Sequence, residues 1–436
     1  MAAASTLATV RRLAAAVVCS ALLATALVVT GCGRNTSAAP GPPPDAGVKM
    51  PGDFSAAGPG TLLDATTMPM VDRRVKAVTS VAARIAYSST SGITHESTEV
   101  TGTVFAPMGQ PPEGGWPIIA IGHPTVGILP KCAPSASPTL MNLSGTILLL
   151  VKAGYVVTMS DLQGLGDART YHPYLDATTA AYNLIDSVRA ARRLVPDTSD
   201  RWLAMGISQG AQGSWAANEL AAEYGSGLNL VGSVSLSPPM DISGFADMAA
   251  AGTLDKDQQP AYLALLATFA NENPDLNLDL YRRGTVKENW DLLLQCDYAT
   301  TEERARVVDE IGPDDLRPAS DEATDTMRNH LRESSLPRHA TTAPALVIYG
   351  GQDALIPPEW TDAALQRACK LGDVVDINLQ PDKGHADIDV SNAIPWVADR
   401  FNGVPAPNSC QGLVASTASE VPVGSAAGQT VLDEGR

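Results

Sequence analysis

The chain has 436 residues and a formal net charge of −17, with 44% hydrophobic and 18% charged residues. That length and apolar fraction supply a large core and exclude a disordered chain. The acidic balance excludes a nucleic-acid partner, because no basic cluster beyond the N-terminus could neutralise phosphates.

Residues 1–31 read as an export signal. Arg11 and Arg12 close a positive stretch, and residues 13–30 form an apolar run rich in Ala, Val and Leu. The run stops at Val29-Thr30-Gly31-Cys32, which resembles a bacterial lipobox. Cys32 is therefore the expected lipidation site, and the expected membrane attachment is through that N-terminal lipid. The alternatives are an ordinary cleaved signal or an uncleaved anchor. Residues 32–55, rich in Pro and Gly, read as a linker holding a folded body away from the membrane. The expected location is the cell envelope, on the outer face of the cytoplasmic membrane, or outside the cell.

Cys19 belongs to the signal, which leaves Cys132, Cys296, Cys369 and Cys410 in the body. In an exported protein these form two disulfides with three possible pairings. Proximity favours Cys369–Cys410 and, by elimination, Cys132–Cys296. No spacing of Cys or His indicates zinc, and neither metal nor cofactor is expected.

Residues 81–90 and 99–106 read as β-branched strands joined at Ser89-Thr90-Ser91-Gly92. Residues 116–121 are a continuous apolar run, as in a strand buried on both faces, and empty into Gly122-His123-Pro124-Thr125-Val126-Gly127. A helix over 145–153 and a buried strand over 155–159 follow, then the loop Asp161-Leu162-Gln163-Gly164-Leu165-Gly166. Asp176 can cap a helix whose apolar stripe is Leu184, Val188, Ala191 and Val195, stopped by Pro196. Residues 202–205 form a short strand that runs into Gly206-Ile207-Ser208-Gln209-Gly210, and a helix-compatible stretch covers 211–224. A further strand covers 230–235.

Alternating strand and helix after two antiparallel strands predicts an α/β fold: a mostly parallel central sheet flanked by helices. The alternation breaks over 241–342, which holds no convincing strand but has helical pieces at 259–270, 287–296 and 301–311. Strands resume at 344–349 and 374–379, with helices over 360–370 and 390–401. The expected organisation is a core of 56–240 and 343–403, an inserted helical cap over 241–342, and a loose tail over 404–436 apart from Cys410. A separate helical domain is the alternative to insertion.

The pattern Gly-x-Ser-x-Gly between a strand and a helix is that of a nucleophile elbow. A serine hydroxyl needs a base to take its proton, and the base needs an acid to hold its tautomer. In the α/β-hydrolase order the acid and then the histidine follow the serine, each on a loop after a strand. Ser208, Asp353 and His385 obey that order, with Asp382 and Asp387 too close to His385 along the chain to occupy a separate loop. The expected oxyanion donors are the N–H of Gln209 and, because Pro124 has none, the N–H of Thr125. His123 is either a supporting hydrogen-bonding group or a plain loop residue.

These segments resemble those of secretory lipases of the lipase A type, within the α/β-hydrolase superfamily. The resemblance is carried by residues 122–127, Cys132-Ala133-Pro134-Ser135, residues 161–166, His172-Pro173-Tyr174, the serine pentapeptide, Tyr349-Gly350-Gly351-Gln352-Asp353 and Gly384-His385. It implies an α/β-hydrolase fold with a helical cap, triad roles for Ser208, Asp353 and His385, and a lipid or ester small molecule as substrate. Pro124 stands where the family commonly has glycine, and Leu162-Gln163 where it tends to have an aromatic and an acid. The implied reaction is hydrolysis of acylglycerols or other lipid esters through an acyl-enzyme. A non-catalytic lipid-binding lipoprotein and a serine peptidase on the same scaffold are the alternatives.

Overall fold

The computed structural model describes residues 47–411, so the export segment 1–31, Cys32 and residues 412–436 lie outside them. Its strands are β1 (Leu62–Thr67), β2 (Thr79–Thr90), β3 (Ser97–Pro107), β4 (Trp116–Gly122), β5 (Val156–Ser160), β6 (Thr198–Ile207), β7 (Asn229–Leu236), β8 (Ala345–Gly350) and β9 (Val375–Gln380). They form one nine-stranded sheet in the order β1-β2-β3-β5-β4-β6-β7-β8-β9. The pairs β1–β2, β2–β3 and β3–β5 are antiparallel, and the remaining pairs are parallel. The α/β expectation holds, and the apolar runs explain it. All of β5 and β8 is buried, as strands covered by helices on both faces must be.

One face is covered by the helices Ala177–Leu194 and Gln209–Tyr224, which bury Leu184, Val188 and Trp215 against Trp202 and Ala204. Ser144–Lys152 and Ala393–Phe401 cover the other, with Ile147 and Trp396 against Ile119 and Leu203. Asp176 caps its helix as expected, accepting from the Thr179 N–H at 2.7 Å.

Outside the inserted segment, three features differ from the sequence expectation. β1 went unpredicted, since Leu62-Leu63-Asp64-Ala65-Thr66-Thr67 buries Leu62 and Ala65 but leaves Leu63 and Asp64 outside. The stretch expected to be linker up to residue 55 lies along β1 from residue 47. There the Met50 N–H donates to Ala65 O and the Thr67 N–H to Val48 O, both at 2.9 Å. The tail is held through residue 411: the Ser409 N–H donates to Val375 O at 2.8 Å, and Cys369–Cys410 pins it. The other disulfide, Cys132–Cys296, joins the loop after β4 to the segment inserted between β7 and β8.

That inserted segment is helical, without a strand among the described residues, and has a core of its own. Phe245, Tyr262, Leu266, Phe269, Tyr281 and Met327 pack together and onto Ile128, Tyr174 and Ile356 from the loops beneath. The helix expected over 287–296 is split into Gly284–Glu288 and Trp290–Leu293, where Asn289 leaves the helical conformation and bonds back to Thr285 O.

Where the cap meets the core, Glu272 faces His330, Asp176, Glu333 and Tyr171. Burial pushes its carboxyl up to about 7, with Asp176 and Glu333 adding repulsion, while burial pushes His330 down. Desolvation thus outweighs the attraction across their 3.6 Å separation and pushes each group toward its neutral form. A carboxyl raised on folding contributes stability below its unfolded value and loses it as pH rises through its folded one. His330 acts oppositely, but only below its unfolded value of about 6.5. Between pH 6.5 and 8 the protein is therefore expected to lose about 0.5–1 kcal/mol, with screening allowed for. Thermal melts should show the drop in wild type and its absence in Glu272→Gln.

Candidate active site

β6 delivers Ser208 into a forced turn, with φ 51° and ψ −117°, and a helix begins at the next residue. Glycines make the turn possible. A Cβ on Gly206 would lie 1.9 Å from Gly210 O, and one on Gly210 would lie 2.1 Å from the Gly122 carbonyl. Gly122, at the end of neighbouring β4 and in register with Gly206, is thus a third glycine of the elbow. The strained serine conformation costs about 1–3 kcal/mol, offset by the surrounding sheet.

The Ser208 hydroxyl lies 2.8 Å from His385 Nε2, and His385 Nδ1 lies 2.7 Å from Asp353 Oδ2. Asp353 is buried, and its other oxygen accepts the Ile356 N–H at 2.8 Å. The acid turn and the histidine loop touch backbone to backbone. A Cβ on Gly350 would lie 2.2 Å from Lys383 O, and the Gln352 N–H donates to that same carbonyl at 2.8 Å. Ser237, buried at the end of β7 with φ 49°, donates its hydroxyl to His385 O at 2.8 Å. Nothing in the Ser237-Pro238-Pro239 sequence signals that clamp. Asp387 instead accepts the Gly384 N–H at 2.6 Å, as part of a local turn.

Both expected oxyanion donors are free. The N–H groups of Gln209 and Thr125 have no acceptor among the described residues, as befits the first residue of a helix and an open loop. The Thr125 hydroxyl lies 2.9 Å from Tyr174 OH. His123 is fully buried, with Nε2 3.0 Å from Asp161 O, which makes it a support of this loop. The buried Asp161 carboxylate accepts the Thr101 hydroxyl at 2.6 Å and the Ser135 N–H at 2.8 Å. One carboxylate therefore joins segments that are far apart in the chain.

Beside Thr125 a cavity of about 440 Å³ opens, walled by Val126, Ile128, Leu263, Leu293, Leu355 and Cys296. Its size and apolar wall suit an acyl chain, and the cap supplies one side of it. Among the described residues no group of three or more His, Cys, Asp or Glu converges as a metal site.

Solved structures share this architecture. Lipase A of Candida antarctica in its closed state superposes with a TM-score of 0.64 at 15% identity, over 85% of this chain and 92% of its own. The rice cell wall degrading esterase LipA of Xanthomonas oryzae gives 0.61 at 21% identity, over 80% of this chain and 97% of its own. At such identities the likeness establishes the fold. A search of curated protein sequences returned no match. The family model for secretory lipase matches residues 139–409, more than half of the chain and the span that holds Ser208, Asp353 and His385, so the chain belongs to the secretory lipase family.

Proposed function

We propose that this protein is an exported serine carboxylic ester hydrolase acting on lipid esters. The reading rests on one observation above all: the unbroken hydrogen-bonded line from Ser208 through His385 to Asp353. His385 Nε2 takes the hydroxyl proton as Ser208 Oγ attacks the ester carbonyl. The N–H groups of Gln209 and Thr125 take up the charge that develops on the carbonyl oxygen. The ester C–O bond then breaks, and the leaving alcohol receives the proton from His385. A water molecule, deprotonated by His385, attacks the acyl-enzyme; the acyl bond to Ser208 Oγ breaks, His385 returns the proton to that oxygen, and the acid leaves. Asp353 keeps the proton of His385 on Nδ1 and stabilises the imidazolium.

The acyl chain would enter the 440 Å³ cavity, with the cap limiting access of water. Cys32, outside the described residues, would carry the lipid that holds the enzyme at the membrane. Membership of the secretory lipase family supports the export and ester-hydrolysis parts of this reading.

Purified protein should cleave p-nitrophenyl esters, and Ser208→Ala should lower kcat/KM by about 10⁴-fold or more. Unchanged cleavage by Ser208→Ala would overturn the assignment of the nucleophile. An inactive wild type that still binds lipid would point to the retired, lipid-binding scaffold.

A further inference from the structure

The turn Asp161-Leu162-Gln163 meets two histidines that adjoin the proposed oxyanion donors. It leaves β5 with Leu162 buried in the left-handed region, at φ 68°. Each flanking carbonyl meets a histidine: Asp161 O lies 3.0 Å from His123 Nε2, and Gln163 O lies 2.8 Å from His172 Nδ1. His123 belongs to the loop of Thr125. His172 reaches the elbow, where its Nε2 lies 2.7 Å from Gln209 Nε2. An amide nitrogen only donates, so His172 Nε2 accepts and the ring proton sits on Nδ1, donated to Gln163 O. Burial holds the ring neutral by pushing its pKa down to about 4, so this tautomer persists through the neutral range.

His172 is also the sole polar partner of the Gln209 side chain among the described residues, since Gln209 Oε1 has none. Both residues are buried. The turn behind them is held in its own right: Asn183 Oδ1 accepts the Gln163 N–H at 2.8 Å, and Asn183 Nδ2 donates to the Ser89 hydroxyl at 2.9 Å. Gln209 is the first residue of its helix, so no intrahelical bond fixes the direction of its N–H. Small errors in such a donor's position weaken its grip on the transition state disproportionately.

We propose that His172 is a positioning residue for the reaction: by accepting from the Gln209 side chain, it aims the Gln209 N–H at the oxyanion. The proposal rests on the ester-hydrolase reading above. Its test compares wild type with His172→Phe, His172→Gln, Gln209→Leu and the double variant His172→Phe/Gln209→Leu. The readouts are kcat and KM on a p-nitrophenyl ester, and inhibition by an alkyl trifluoromethyl ketone, which forms a tetrahedral adduct with the serine.

His172→Phe and Gln209→Leu should each lower kcat about 10- to 100-fold with KM within about twofold. Ketone affinity should fall in proportion to kcat, the double variant should be no worse than the weaker single, and His172→Gln, which keeps a neutral acceptor, should regain most of the loss. If His172→Phe does not fold, Gln209→Leu and His172→Gln carry the test. Full kcat in folded Gln209→Leu or His172→Phe would overturn the proposal, and so would additive losses or a ketone affinity unchanged while kcat falls. A wild type that neither cleaves esters nor reacts with a fluorophosphonate would instead defeat the underlying reading.

Discussion

Asp353→Asn is expected to lower kcat/KM on p-nitrophenyl esters by about 10³- to 10⁴-fold in a protein that stays folded. The carboxylate does two things at once: Oδ2 accepts from His385 Nδ1, and Oδ1 accepts the Ile356 N–H. An amide can keep the second contact with its oxygen and so preserve the turn. It must then offer an NH₂ to His385 Nδ1. That arrangement makes Nδ1 an acceptor and moves the ring proton to Nε2, 2.8 Å from the Ser208 hydroxyl that needs a base there. The fold survives while proton transfer fails. Kinetics alongside a thermal melt would check this, and activity within tenfold of wild type would show that Asp353 is not the acid of the triad.

The second large effect concerns stability. Cys132→Ser with Cys296→Ser is expected to lower stability by about 2–5 kcal/mol, and the melting temperature by about 3–6 °C. The bridge spans a sequence separation of 164, against 41 for Cys369–Cys410, so in the chain-entropy account it constrains the unfolded chain more. The native structure is also built around it. A Cβ on Gly127 would lie 2.7 Å from Cys132 Sγ, so the bridge packs directly against the loop that carries Thr125. Cys296 lines the apolar cavity as well, so loosening it should broaden the acyl-chain preference. The exposed Lys131–Asp297 ion pair nearby cannot substitute, since such pairs contribute at most about 1 kcal/mol. A melting temperature unchanged within about 1 °C would contradict the role given to the bridge.

Much of this was legible in the residues because its signals are local. A glycine pair around Ser208, apolar runs that end in loops, and the order of Ser208, Asp353 and His385 all lie along the chain. What was not legible depends on which strands become neighbours. β4 lies beside β6 although β5 intervenes in the chain, and only that adjacency brings Gly122 against Gly210. His172 stood in a recognisable His-Pro-Tyr segment, but its role comes from contacts with Gln163 and Gln209 that no spacing encodes. Ser237 is likewise visible only once β7 and the histidine loop meet. β1 escaped notice because an edge strand with one face to solvent carries half the apolar signal of a central one.

The central claim is that Ser208 is a nucleophile activated by His385. Its most direct test is to treat the folded protein with a fluorophosphonate and locate the adduct by mass spectrometry. The account predicts stoichiometric modification at Ser208, lost in Ser208→Ala and slowed by at least about 10³-fold in His385→Ala. Absence of an adduct on Ser208 in the folded wild-type protein, or labelling that proceeds at the same rate without His385, would contradict it.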